Sequence, residues 1–129
     1  MSNQLAKAGI QSLAVYIPRK YHDADYIASR CDTPADIIRT KLGWYQKNVP
    51  GEGDGTAAMG LKAARKVLFN SGLAPEDIDL VIWSGEEVKE YRNWPVGPKI
   101  QKELGLKKAW SFDMQQRCGT TMVALKLAR

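Results

Sequence analysis

The stretch Ala109-Trp110-Ser111-Phe112-Asp113-Met114-Gln115-Gln116-Arg117-Cys118-Gly119-Thr120-Thr121-Met122-Val123-Ala124-Leu125 decides the fold. Its first part, Ala109 to Met114, reads as a β-strand, and Gln115-Gln116-Arg117 as a polar turn. Beyond Cys118, the residues Met122, Val123, Leu125 and Leu127, with small Ala124 and Ala128 between them, predict a helix that is apolar nearly all round. A helix of that kind is expected to be buried. A strand that passes through a short turn straight into a helix belongs to an α/β layer.

Working outward, the same alternation recurs. Upstream, Leu80-Val81-Ile82-Trp83 is a continuous apolar run too short for a helix, which suits a strand covered on both faces. Between the two strands lie a charged and aromatic loop, Glu86 to Trp94, and a helix predicted from Pro95 to Leu104 and stopped by Gly105. Thr56 to Ser71 places Met59, Ala63, Val67 and Leu68 on one face of a long amphipathic helix ended by Gly72, and Ala74-Pro75-Glu76-Asp77 supplies turn chemistry. The Gly-rich Val49 to Gly55 reads as a connection. Further back, Asp23 to Arg30 and Pro34 to Leu42 carry helical spacing, the second with Thr33 as its expected cap and Gly43 as its stop. Gly9 to Ile17 alternates small or apolar with polar residues and is closed by Pro18, predicting the first strand. No repeat interrupts the series, so 1–129 is read as one α/β unit.

Composition narrows the function. With 129 residues, 44% of them hydrophobic and 26% charged, the chain has enough apolar material for one modest globular core. No apolar run approaches the roughly 18 residues of a membrane span, and Met1-Ser2-Asn3-Gln4 lacks the layout of a secretion signal, so a cytoplasmic protein is expected. Cys31 and Cys118 lie far apart without partners at metal spacing, which predicts free thiols and no metal site. The net charge of +5 is spread along the chain in pairs no longer than Lys107-Lys108. That pattern argues against nucleic acid and fits an acidic partner or a phosphate-bearing substrate.

Cys118 is the candidate for chemistry. At a strand-to-helix turn its sulfur sits near free backbone N–H groups and the positive end of the helix dipole, both of which favour thiolate. Gly119 leaves room for an approaching acyl chain. A free cysteine is also, and more commonly, a small apolar core residue, and the local residues leave both readings open. His22, the sole histidine, lies in a polar stretch and reads as a surface residue, so the nucleophile has no evident general base.

Positions along nearly the whole chain resemble the N-terminal part of the β-ketoacyl-acyl carrier protein synthase III family, in the thiolase-like superfamily. The resemblance rests on Gly9-Ile10, Tyr16-Ile17-Pro18, Ile37-Ile38, Lys41-Leu42-Gly43, Ala63-Ala64, Gly72-Leu73, Pro75-Glu76-Asp77-Ile78-Asp79 and Val81-Ile82. It continues through Gln101, Leu104-Gly105, Phe112-Asp113, Cys118-Gly119 and Ala124-Leu125. It implies layered helices around a mixed sheet, incomplete here in its last strands and second half. It also implies an acyltransferase whose cysteine, Cys118, takes an acyl group from coenzyme A and condenses it with malonyl-acyl carrier protein, as in fatty acid biosynthesis. Acyl-CoA is then a substrate, with no resident cofactor. Acyl carrier protein and a homodimer mate meeting the Ala109–Met114 strand are the implied partners.

Several residues depart from the family. Its coenzyme A contacts near the end of the second helix include a tryptophan and an arginine, where this chain has Ile37 and Lys41. Lysine meets a phosphate as a point charge without arginine's planar fork, and Ile37 cannot stack on adenine. Trp94-Pro95 resembles the aromatic-proline wall of the acyl pocket; a large indole there shortens or redirects the acyl chain, or serves in an ordinary dimer contact. Gln115, Gln116 and Arg117 replace small residues before the cysteine. The family's assisting histidine and asparagine have no counterpart, so the chain is expected to be partial, or completed by a second chain carrying the C-terminal half. The rival expectations are a non-catalytic scaffold or partner subunit and a divergent hydroxymethylglutaryl-CoA synthase-like enzyme.

Overall fold

A computed structural model describes residues 8–85, 91 and 93–129. The chain start Met1-Ser2-Asn3-Gln4, and Glu86 to Glu90 and Arg92 of the expected loop, lie outside the described residues. The chain divides into two compact units, Ile17–Gly55 and Met1–Tyr16 with Thr56–Arg129.

The Ile17–Gly55 unit is an antiparallel strand pair with two short helices in the connection between its strands. Strands β1 (Tyr21–Asp23) and β2 (Gln46–Asn48) pair antiparallel, with His22 opposite Lys47. Asp23 ends β1 and caps helix α1 (Ala24–Ala28), its carboxylate accepting the Tyr26 amide at 2.7 Å. Helix α2 (Ala35–Lys41) is N-capped by Pro34 with no side-chain hydrogen bond, so the cap expected from Thr33 is not made. Its end follows the expectation: Gly43 takes φ +69°, which relieves the chain of a Cβ in the left-handed region. Ala24 and Ile38 are almost fully buried, and Asp25 of α1 pairs with Arg39 of α2.

The larger unit is built on strands β3 (Leu80–Ser84) and β4 (Trp110–Met114), which run parallel with Leu80 opposite Trp110 and Ser84 opposite Met114. Parallel pairing requires a crossover, and helix α4 (Val96–Glu103) supplies it. Helix α3 (Thr56–Ser71) keeps the predicted bounds, and α5 (Thr120–Leu127) follows β4. Val81 and Trp83 of β3 pack on the cluster of Ala57, Val96 and Ile100 from α3 and α4. Gly60 of α3 is held by this packing, since a Cβ there would stand 2.5 Å from the Trp83 ring. Leu80 and Ile82 instead border a hollow with Thr121, Ala124 and Leu125 of α5. Both faces of the strand thus have neighbours, and all five of its residues are half-buried rather than enclosed.

Two expectations are revised. Gly9 to Ile17 forms no strand pairing among the described residues. It does alternate, in the opposite sense from a half-buried strand: Ser12, Ala14 and Tyr16 are half-buried, whereas Ile10, Leu13, Val15 and Ile17 are 62–76% exposed. Helix α5 is not buried all round either. Thr120 and Ala124 are enclosed, while Met122, Leu125 and Leu127 are more than half exposed.

Candidate active site

Three devices hold the turn between β4 and α5. The first is backbone conformation: Arg117, immediately before the cysteine, takes φ +50°, a left-handed geometry that costs a residue with a Cβ about 1 kcal/mol or more. The second is Thr120, whose buried hydroxyl accepts the Gln116 amide at 2.6 Å and donates to the Arg117 carbonyl at 2.7 Å. Backbone bonds from Gly119 to the Gln116 carbonyl and from Thr120 to the Arg117 carbonyl, both 3.2 Å, close the same turn. The third is the next residue, Thr121, whose hydroxyl lies 3.1 Å from that of Ser84 at the end of β3.

Cys118 sits on this turn as a free, exposed thiol. It precedes Gly119, the N-cap of α5, which places no side chain over the helix start. The cysteine is thus accessible, while the Gly119 and Thr120 amides at the helix start are taken by the Gln116 and Arg117 carbonyls. This exposure sets Cys118 apart from Thr120 and Ala124, the enclosed residues of the helix that follows it. Cys31 is exposed as well, its thiol donating to the Ile27 carbonyl in an ordinary helical contact.

Trp94 lies in the same unit. It is half-buried against the Ala57–Val96–Ile100 cluster, edge-on to Tyr91 with ring centroids 5.5 Å apart, and its other neighbour is Lys99, whose Nζ is 4.8 Å from the ring centre. The residue after it, Pro95, is the N-cap of α4, and Asp113 of β4 fixes that helix start. One carboxylate oxygen accepts the Val96 amide at 2.8 Å and the other the Gly97 amide at 2.7 Å. Gly97 permits the approach, because a Cβ would stand 3.0 Å from the Phe112 carbonyl oxygen. Trp94 and the strand leading to Cys118 are thereby tied together through one carboxylate.

Ile37 and Lys41 lie in the smaller unit, one helical turn apart on α2, so both side chains leave the same helix face. Both are exposed, in contrast to their neighbour Ile38, which is buried. Just beyond, Trp44 is 42% exposed with the Lys47 ammonium 4.9 Å from its ring centre. His22 packs on Tyr26, ring centroids 4.1 Å apart, in the same smaller unit. Among the described residues no group of three or more His, Cys, Asp and Glu side chains could hold a metal ion, and no helix is long and apolar enough to cross a membrane.

Thr120 and Asp113 were not among the residues singled out from sequence. A weak signal existed for Thr120, since threonine just after a turn tends to bond nearby backbone groups. Asp113 gave none, because its partners lie 16 and 17 residues away.

No protein-family model matches the chain. Individual proteins do. The β-ketoacyl-[acyl-carrier-protein] synthase III of Rickettsia rickettsii is 33% identical over 114 residues, 88% of this chain and 35% of the relative. Among solved structures, the priming β-ketosynthase of the R1128 polyketide biosynthetic pathway superposes with a TM-score of 0.84 at 26% identity, over 92% of this chain and 35% of that one. MvaS in complex with 3-hydroxy-3-methylglutaryl coenzyme A gives 0.81 at 26% identity, over 93% and 29%. The chain spans about 35–39% of the length of the curated relatives it matches. In sequence and in fold, it is a relative of the β-ketoacyl-[acyl-carrier-protein] synthase III proteins of the thiolase-like superfamily, corresponding to their N-terminal part.

Proposed function

We propose that Cys118 is the acyl-accepting nucleophile of a β-ketoacyl-acyl carrier protein synthase III-like acyltransferase. The observation that carries the reading is the exposed thiol on a hydrogen-bonded strand-to-helix turn, with no side-chain hydrogen bond capping the helix beside it. As thiolate, Cys118 attacks the carbonyl carbon of an acyl-CoA thioester. The carbonyl oxygen gains negative charge next to the α5 N-terminus, where backbone N–H groups stabilise it. The bond to the coenzyme A sulfur then breaks, coenzyme A leaves as its thiol on gaining a proton, and an acyl-thioester remains on Cys118.

In the second half-reaction, that acyl group passes to the carbanion formed when malonyl-acyl carrier protein loses carbon dioxide. The sole histidine, His22, is packed on Tyr26 in the smaller unit, so this step is assigned to groups of a C-terminal half, carried on the same polypeptide or on a second chain. Trp94 is the wall that limits acyl length, and Ile37 and Lys41 contact the coenzyme A nucleotide, with Lys41 meeting phosphate. A homodimer through the open side of β4 and a cytoplasmic setting complete the proposal. The likeness to a 3-hydroxy-3-methylglutaryl-CoA complex favours a second reading, in which the same thioester condenses with an acyl-CoA rather than with acyl carrier protein.

Intact-mass analysis after incubation with acetyl-CoA and longer acyl-CoAs tests the shared first step. An acyl adduct is expected on the parent and absent from Cys118→Ala. An adduct that persists in Cys118→Ala would place the acceptor elsewhere, and no adduct even with the C-terminal half supplied would favour a non-catalytic scaffold.

A further inference from the structure

We infer that Thr120 is a positioning residue for Cys118, resting on the acyl-acceptor reading above. Its hydroxyl is used in both senses at once, accepting from the Gln116 amide and donating to the Arg117 carbonyl, so the two ends of the Gln116–Arg117 dipeptide are held by one oxygen. The left-handed Arg117 lies within that span. A residue in that conformation is stable only where its surroundings over-determine it. Thr120 supplies that constraint from a site 4% exposed, where its own hydroxyl has no competing water. Thr121 pins the following residue to Ser84, so the turn is anchored to both strands of the sheet.

The consequence for chemistry is directional. Cys118 is exposed whether or not the turn is rigid, and a small, indifferent electrophile reaches it in either case. Acyl transfer is more demanding, since the sulfur, the carbonyl carbon and the helix N–H groups must be aligned, and a misplacement of about 1 Å costs on the order of a hundredfold in rate. The hydroxyl of Thr120 therefore governs acylation more than general thiol reactivity.

The test compares Thr120→Val, which keeps the shape and removes the hydroxyl, with Thr120→Ser, which keeps the hydroxyl, both in a Cys31→Ser background so that only Cys118 reacts. Acylation by acetyl-CoA and alkylation by iodoacetamide are followed by intact mass, and folding by circular dichroism. Thr120→Val is expected to slow acylation about tenfold or more while changing alkylation less than about twofold, and Thr120→Ser to restore the parent rate. Parent-like acylation in Thr120→Val, or a Ser variant as slow as the Val variant, would overturn the assignment. Amide exchange at Gln116 in the unmodified chain provides a readout that needs neither acylation nor a folded variant: protection is expected, and free exchange would overturn the bracket. Absence of acylation in every protein, with the C-terminal half supplied, alongside a protected Gln116 would sink the acyl-acceptor reading while supporting the bracket itself.

Discussion

The two faces of the β3–β4 sheet are covered by different means. On one, Val81 and Trp83 meet a cluster in which Ala57, Val96 and Ile100 are no more than 5% exposed. On the other, Leu80 and Ile82 meet α5, whose buried residues are Thr120 and Ala124 and whose larger apolar side chains stand 51–67% exposed. The first face is held by apolar area and by Asp113. The second is held by hydroxyl groups at one end of its helix. Stability and nucleophile placement therefore draw on separate residues, and substitutions on the two faces should report different properties.

The largest effect is expected at Ile100→Ala, which removes a buried side chain from the packed face and should lower unfolding free energy by about 2–5 kcal/mol in chemical denaturation. A loss below about 1 kcal/mol would show that this cluster does not anchor the unit. Next comes Asp113→Asn, which keeps an oxygen acceptor but gives up the charge that holds the Val96 and Gly97 amides. It should cost about 1.5–3 kcal/mol and release those two amides to hydrogen exchange. Slow exchange in the variant would assign their protection to something other than the carboxylate. The smallest effect is expected at Leu125→Ala on the open face, within about 0.5 kcal/mol. A loss of about 2 kcal/mol or more there would mean that the outward side of α5 is itself covered in solution, and would erase the contrast between the two sides.

Much of this arrangement was legible beforehand because it is written in local chemistry. Helix α3 emerged from the Thr56–Ser71 periodicity with unchanged bounds, and Gly43, Gly72 and Gly105 stop their helices in left-handed geometry where the sequence placed the stops. Cys118 was legible as a turn residue between strand and helix for the same reason. What escaped depends on contacts between distant residues. The alternation of Gly9 to Ile17 announces an extended segment, but period alone does not say which face is inward, and here the larger apolar side chains point out. Trp94 illustrates a second limit. Its sequence left a choice between acyl wall and dimer contact, whereas its packing against the cluster of its own unit depends on α4 being seated on β4 by Asp113.

The start of α4 has a practical consequence. Its first three residues present no spare hydrogen-bond donor, since the Val96 and Gly97 amides are taken by Asp113 and Pro98 has none, and Pro95 just before them also lacks an N–H. The helix cannot wind a further turn backward without surrendering those bonds. Its origin is a hard stop that does not shift when the chain before it changes length. The left-handed Asn93 just upstream is accordingly a natural seam: a loop of different size or chemistry can be grafted ahead of it, and the scaffold behind will keep its register.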